Sequence, residues 1–224
     1  MEIKDLKIER NLNIKNNDAL IIVDMQYDFL PGGALPVEEG HLIIDGINKI
    51  AKKFKQAQAK VVLTQDWHPK NHLSFASNHP GKSPGDDYQT ESIGPVLWPD
   101  HCVQGSKGAE FHKDLQTIYA NAIIRKGYNP MIDSYSGFIE NDKRSETGLS
   151  GYLKSLKIKR VFICGLALDY CCYSTAMDGI DFGFEVFFIS DLTKGIDIPQ
   201  GNISKSLENM LNKGIIFVNK ETFL

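Results

Sequence analysis

The chain has 224 residues, 42% hydrophobic and 24% charged, with 25 Lys and Arg against 28 Asp and Glu for a formal net charge of −3. That length and apolar content suit a globular domain with a real core and exclude a disordered chain. A pI near 6.1 with interspersed signs, and no apolar run near the ~18 residues of a spanning helix, leave neither nucleic acid nor membrane as an expected partner. The opening MEIKDLKIER alternates charge and lacks a signal-peptide core, so a soluble cytoplasmic protein is expected.

Residues 1–17 are polar without an apolar period and read as an extension or a short edge element. Beyond them, β-rich runs fall at Ala19–Val23, Lys60–Thr64, Ala122–Arg125, Arg160–Cys164, Glu185–Ile189 and Gly214–Val218. Helical spacing covers Leu42–Ala59, through Leu42, Ile43, Ile47, Ile50 and Phe54, then Ser145–Leu156, Cys171–Phe182 and Ile203–Asn212. Continuous apolar strands separated by helices predict a parallel sheet covered on both faces. The fold expected over residues 1–224 is thus a single α/β domain, a three-layer αβα sandwich around a central, mostly parallel six-stranded sheet. Residues 65–121 are the exception. They are rich in Gly, Pro, Asn, Ser and His with little periodicity, as befits an irregular segment that binds metal or substrate.

In open α/β sheets, ligands bind outside the carboxyl ends of the strands. Four expected strand ends carry chemistry there: Asp24, the cluster Asp66-Trp67-His68-Pro69 with His72, Lys126, and Cys171 at a helix start after Gly165. Cys171 reads as a nucleophile whose pKa the helix terminus and Lys126 would lower below ~8.5; a buried structural cysteine is the plainer alternative. Asp24 reads as a proton acceptor and donor, or else as a helix or turn cap, a role better suited to Asp28. Lys126 alone is no more than a surface lysine at a strand end. Cys164, within an apolar strand, fits a structural thiol, and Cys172 ranks below its neighbour Cys171. No Cys-x-x-Cys pair occurs, which suits reduced thiols inside a cell.

Asp66 and His68 stand two apart in extended backbone and so project to one side. His101, in Trp98-Pro99-Asp100-His101-Cys102, would close a carboxylate and two-imidazole site from the irregular segment. That set suits Zn²⁺, with Fe²⁺ or Mn²⁺ as alternatives, and leaves positions open for ligand. The plainer alternative is a set of exposed loop histidines. Phe29 and Trp98 would wall an aromatic substrate or belong to the core. Gly32-Gly33 and Gly105 read as turns, and the lack of Gly-x-Gly-x-x-Gly or Walker-type loops speaks against a nucleotide cofactor.

In order, Asp24-Met25-Gln26-Tyr27-Asp28-Phe29, Asp66-Trp67-His68-Pro69 with His72, Trp98-Pro99-Asp100-His101-Cys102, Lys126-Gly127 and Gly165-Leu166-Ala167-Leu168-Asp169-Tyr170-Cys171 resemble the motifs of the nicotinamidases (pyrazinamidases) within the isochorismatase-like cysteine hydrolases. The resemblance runs from about Ala19 onward. It implies an Asp24–Lys126–Cys171 triad and one divalent ion on Asp66, His68 and His101, with His72 an optional further ligand. It also implies a cis peptide at Leu166–Ala167, an oxyanion hole at the N–H groups of Ala167 and Cys171, and a pyridine pocket lined by Phe29, Trp98 and Tyr135. The implied reaction is hydrolysis of nicotinamide, and of pyrazinamide, through a cysteine thioester in NAD salvage. Tyr27 stands where relatives commonly have Asn, and Cys172 where they have a non-thiol. The alternatives are a cysteine amidohydrolase for a carbamoyl or ureido substrate, and a non-catalytic metal-binding relative. Either state of association, monomer or homo-oligomer, is compatible with the sequence.

Overall fold

In the computed structural model, which describes residues 2–223, six strands form one sheet. They are β1 (Asp18–Val23), β2 (Lys60–Asp66), β3 (Ala122–Lys126), β4 (Arg160–Leu166), β5 (Glu185–Lys194) and β6 (Ile216–Val218). The order across the sheet is β3-β2-β1-β4-β5-β6, and every neighbouring pair is parallel. The expected six-stranded sheet is therefore wholly parallel. Its order reverses between β1 and β4, whose carboxyl ends lie side by side and leave the kind of crevice in which such sheets hold ligands.

Burial on both faces explains why the strands read as unbroken apolar runs. On one face α1 (Ile44–Gln56) lays Ile44, Ile47, Ile50 and Phe54 against Leu20, Ile22, Val61, Leu63 and Phe162. On the other, α2 (Leu149–Ser155), α3 (Tyr173–Asp181) and α4 (Asn202–Asn212) press Leu149, Leu153, Ala176, Leu207 and Met210 onto Ala19, Ile21, Val161, Ile163 and Phe188. Period-2 alternation sends each strand's residues to these two cores in turn.

Several boundaries differ from the sequence expectation for stated reasons. β2 and β3 extend to Asp66 and Lys126 because these residues pair with each other at the end of the ladder. β5 continues past Ile189 to Lys194, where Thr193 and Lys194 pair with Gly165 and Leu166 after a register shift. The helical run expected from Cys171 begins instead with a π-type turn, Leu168–Cys172, ahead of α3. Residues 2–17 form no strand, yet they are anchored: Leu6 is buried, and the Glu9 and Leu12 N–H groups donate to the carbonyls of Phe217 and Thr222. Within residues 65–121 only two short 3₁₀ turns occur beyond the end of β2, Ala76–Asn78 and Thr117–Tyr119. Among the described residues, no helix is long and apolar enough to cross a membrane.

Gly165 shows how closely β1 and β4 approach beside the crevice. It sits at φ +114°, and a Cβ there would stand 2.1 Å from the Val23 carbonyl oxygen. Only glycine combines that torsion with that contact.

Candidate active site

Four adjacent strands deliver one group each to the crevice: Lys126 ends β3, Asp66 ends β2, Asp24 follows β1 and Cys171 lies in the turn after β4. The chain turns sharply at Asp24, which holds φ +47°. Lys126 is fully buried and is the hub. Its Nζ lies 2.9 Å from Asp24 Oδ2, 3.4 Å from Cys171 Sγ and 3.0 Å from the Ser134 carbonyl oxygen, and it is ion-paired with Asp66 Oδ1. One carboxylate oxygen each from Asp24 and Asp66 and the Cys171 sulfur lie within 4.8 Å of one another. Thr64, on β2, donates its hydroxyl to Asp24 Oδ1 at 2.7 Å and accepts the Asp24 N–H at 3.2 Å. Gln26 brackets the Asp66 peptide, accepting its N–H and donating to its carbonyl, each at 2.8 Å.

So dry a site controls where protons reside. Burial disfavours charge on Lys126, but Asp24, Asp66 and Cys171 outweigh it and raise the ammonium well above its ordinary pKa. Burial would also raise Asp66; the Lys126 ammonium and the His68 imidazole prevail and hold this carboxyl well below the usual range. Asp24 goes the other way, raised by burial despite Lys126. Cys171 is raised well above a free thiol, first by burial, with Asp24 and Asp66 adding to it and Lys126 opposing. The expectation that Lys126 pulls this thiol below its free value is therefore overturned. A thiol so raised favours its neutral form, and attack by it calls for a base to take the proton.

Beside the triad, Asp66 Oδ2 faces His68 Nε2 at 3.5 Å and His101 Nε2 at 4.0 Å, and these three side chains form a group able to hold an ion. Each imidazole is oriented from behind. His68 Nδ1 donates to the Gly127 carbonyl and His101 Nδ1 to the Pro99 carbonyl, both at 2.8 Å. In a neutral ring this leaves the Nε2 lone pair bare on the Asp66 side, as a metal-ligating histidine needs. Burial, with His68 second, pushes His101 down to about 4. His72 is different: Nε2 meets the Ile132 carbonyl at 3.1 Å, and Nδ1 meets the Ser74 hydroxyl at 2.7 Å. Its ring packs 4.5 Å from that of His68, but both nitrogens are engaged, so the optional further ligand falls outside the ion-holding group.

One pocket connects the two halves. Phe29, Trp98, Tyr135, Ala167 and Cys171 line it together with Asp66, His68 and His101. Trp98 Nε1 donates to Tyr135 Oη at 3.2 Å. Cys171 is only 6% exposed, and the Leu166–Ala167 peptide is cis. Sequence reasoning missed Leu35, Asp133, Ser134, Tyr170 and Ile196 on the same walls. Ile196 follows the unforeseen extension of β5; Asp133 and Ser134 adjoin Tyr135, and Tyr170 adjoins Cys171, so adjacency was the available signal. Tyr27 is not on these walls. It lies in a separate surface cleft with its ring against His112. Cys172 is fully buried in the core behind the pocket, its thiol raised by burial. Asp28 caps no helix; its carboxylate ties two loops by accepting the N–H groups of Ala34 and Cys102.

A model of the isochorismatase domain matches residues 18–221. The nicotinamidase of Acinetobacter baylyi is 44% identical over 97% of this chain and 99% of its own. A solved structure described as PnC1 from L. infantum in complex with nicotinate superposes with a TM-score of 0.82 at 39% identity, covering 95% of this chain and 98% of that one. The pyrazinamidase of Pyrococcus horikoshii in complex with zinc gives a TM-score of 0.75 at 42% identity, over 91% and 99% of the two chains. The chain belongs to the isochorismatase family, among its nicotinamidases.

Proposed function

We infer that the chain is an amidohydrolase that converts nicotinamide to nicotinate and ammonia, a step of NAD salvage, and that it accepts pyrazinamide as well. The observation that carries this reading is Lys126 Nζ reaching Asp24 and Cys171 in a pocket shared with an Asp66, His68 and His101 cluster. We assign Asp24 as the base that takes the Cys171 proton while the sulfur attacks the carboxamide carbon. Lys126 stabilises the negative charge as it moves between them. The backbone N–H groups of Ala167 and Cys171 are assigned to the tetrahedral oxyanion, a type of contact whose removal typically costs ~10²–10³ in rate. Asp24 returns the proton to the departing ammonia, leaving a thioester. Water then attacks the acyl carbon with Asp24 again as base, the C–S bond breaks, the Cys171 sulfur takes the proton back from Asp24, and nicotinate leaves.

The donor set fits a divalent ion: one carboxylate and two imidazoles, with each imidazole's Nδ1–H held by a carbonyl. Asp66, His68 and His101 would hold it. We take zinc first, as in the P. horikoshii relative, with iron and manganese as alternatives. Once bound, the ion supplies a Lewis acid for the pyridine nitrogen and so orients the ring. Phe29, Trp98 and Tyr135 are assigned to the ring's faces and rim. Carriage of all six strands on one sheet supports reading residues 1–224 as a single domain. All four cysteines are free, which supports a reducing, cytoplasmic setting.

The deciding experiment is ammonia release from nicotinamide by the purified protein, before chelation, after it, and after zinc is restored. Release that falls on chelation and returns with zinc is expected. Folded, zinc-loaded protein that released ammonia from a ureido compound but none from nicotinamide would overturn the reading.

A further inference from the structure

We propose that Thr64 is a positioning residue for the general base: it fixes the Asp24 carboxylate so that Oδ2, not Oδ1, exchanges the proton with Cys171. The proposal rests on the amidohydrolase reading above and adds a residue that lies on none of the pocket walls.

The direction of the Thr64 hydrogen bonds follows from counting donors. A hydroxyl has one proton and two lone pairs. The Asp24 N–H, at 3.2 Å, must use a lone pair of Thr64 Oγ1, so the single hydroxyl proton is free to go to Asp24 Oδ1 at 2.7 Å. The hydroxyl therefore grips residue 24 at two points, its backbone and one carboxylate oxygen. Both residues are fully buried, and the Thr64 hydroxyl is the donor to Asp24 Oδ1. Gly137 lies on the methyl side of Thr64, where an added Cβ would stand 3.0 Å from the Thr64 methyl.

With Oδ1 occupied, the chemistry falls to Oδ2. This oxygen is buried without an aligned hydrogen-bond partner and meets Lys126 Nζ at 2.9 Å as an ion contact. Held by an ion pair and by no aligned hydrogen bond, this oxygen keeps a lone pair for a further proton. It is what a base needs, namely an acceptor kept open on the side where Lys126 also touches Cys171 Sγ at 3.4 Å. Without the Thr64 grip, rotation about the Cα–Cβ and Cβ–Cγ bonds would let either oxygen turn to Lys126 and would misalign the proton path.

The test uses two pairs of full-length, zinc-loaded variants. Thr64→Val differs from the wild type by the hydroxyl at nearly constant shape. Thr64→Ser and Thr64→Ala differ from one another by one oxygen. Ammonia release from nicotinamide is measured in a single turnover, alongside the Kd for nicotinate and the bound-zinc content. Loss of a hydrogen bond to a charged group predicts that Val and Ala slow release about ten- to hundredfold, while Ser stays within about threefold of wild type. Nicotinate Kd and zinc content stay within about twofold throughout. The proposal fails if Val or Ala releases ammonia at the wild-type rate, or if Ser falls as far as Ala, since the methyl would then be the part that matters. If Val does not fold, the Ser and Ala pair decides by the same criteria. A wild type inert toward nicotinamide refutes the amidohydrolase reading itself, an outcome distinct from any difference among the variants.

Discussion

Cys171 sits where a thiol is least acidic, against two carboxylates in a dry pocket, so its reactivity depends on its neighbours. Cys171→Ala should abolish ammonia release, by at least about 10⁴-fold, yet leave nicotinate binding intact in a calorimetric titration. In the folded wild type, iodoacetamide should modify Cys171 first, and nicotinate should protect it. Cys102, Cys164 and Cys172 are fully buried, with thiols raised by burial, and should label only on unfolding. Because the Cys171 thiol is raised as well, its thiolate fraction grows with pH, and labelling should quicken from pH 7 to 9. Four cysteines labelled at equal rates in folded protein would contradict this, as peptide mass mapping would show. The histidines separate in the same way: His101→Ala should strip the ion on dialysis, while His72→Asn keeps it at full occupancy by atomic absorption. Asp24, Asp66 and Lys126 were legible in the sequence because each stands at or just past the end of an expected strand, where a charge has no place in a core, whereas Cys171 was legible by its place at a helix start after β4. Thr64 was not, because a threonine inside β2 is also an ordinary strand residue.

At the scale of elements, the closeness of β1 and β4 rests on Gly165. Gly165→Ala would force a Cβ against the Val23 carbonyl and strain a positive φ, with an expected loss of about 2–4 kcal/mol, read as a lower urea midpoint. A midpoint within experimental error of wild type would mean that the strands part more easily than their packing indicates. The opposite end of the same strands is tied by Arg160, which donates from Nε and Nη2 to the two carboxylate oxygens of buried Asp18 at 2.8 and 2.6 Å. Six strands and four helices were readable from period and composition. Their ends were not, because Gln65, Asp66, Thr193 and Lys194 are polar residues kept in strand by the ladder beside them and not by any apolar preference of their own.

For the molecule as a whole, an ion on Asp66, His68 and His101 would reinforce the link that the bridge between His68 and Val103 already makes between the end of β2 and the loop carrying His101. Binding only the folded state, it should stabilise by about 2.7 kcal/mol at a hundredfold excess over Kd. Chelation should therefore lower the Tm, and zinc should restore it; an unchanged Tm would indicate that the group holds no ion in solution. The irregular segment was recognisable in the sequence as irregular, but its path was not, since it is fixed by isolated contacts such as Trp98 beside Phe75 and Val103 beside His68. The delivery of Lys126, Asp66, Asp24 and Cys171 from the ends of four consecutive strands, or from the turns that follow them, has a consequence beyond this reaction. Parallel strands lie ~4.8 Å apart whatever their side chains, so the backbone ladder acts as a ruler with one tool-holder per strand. A substitution at one holder changes which tool is offered while the strands behind the others keep their spacing. Such a sheet can be re-equipped one position at a time, and its capacity for new chemistry resides in its unchanging main chain.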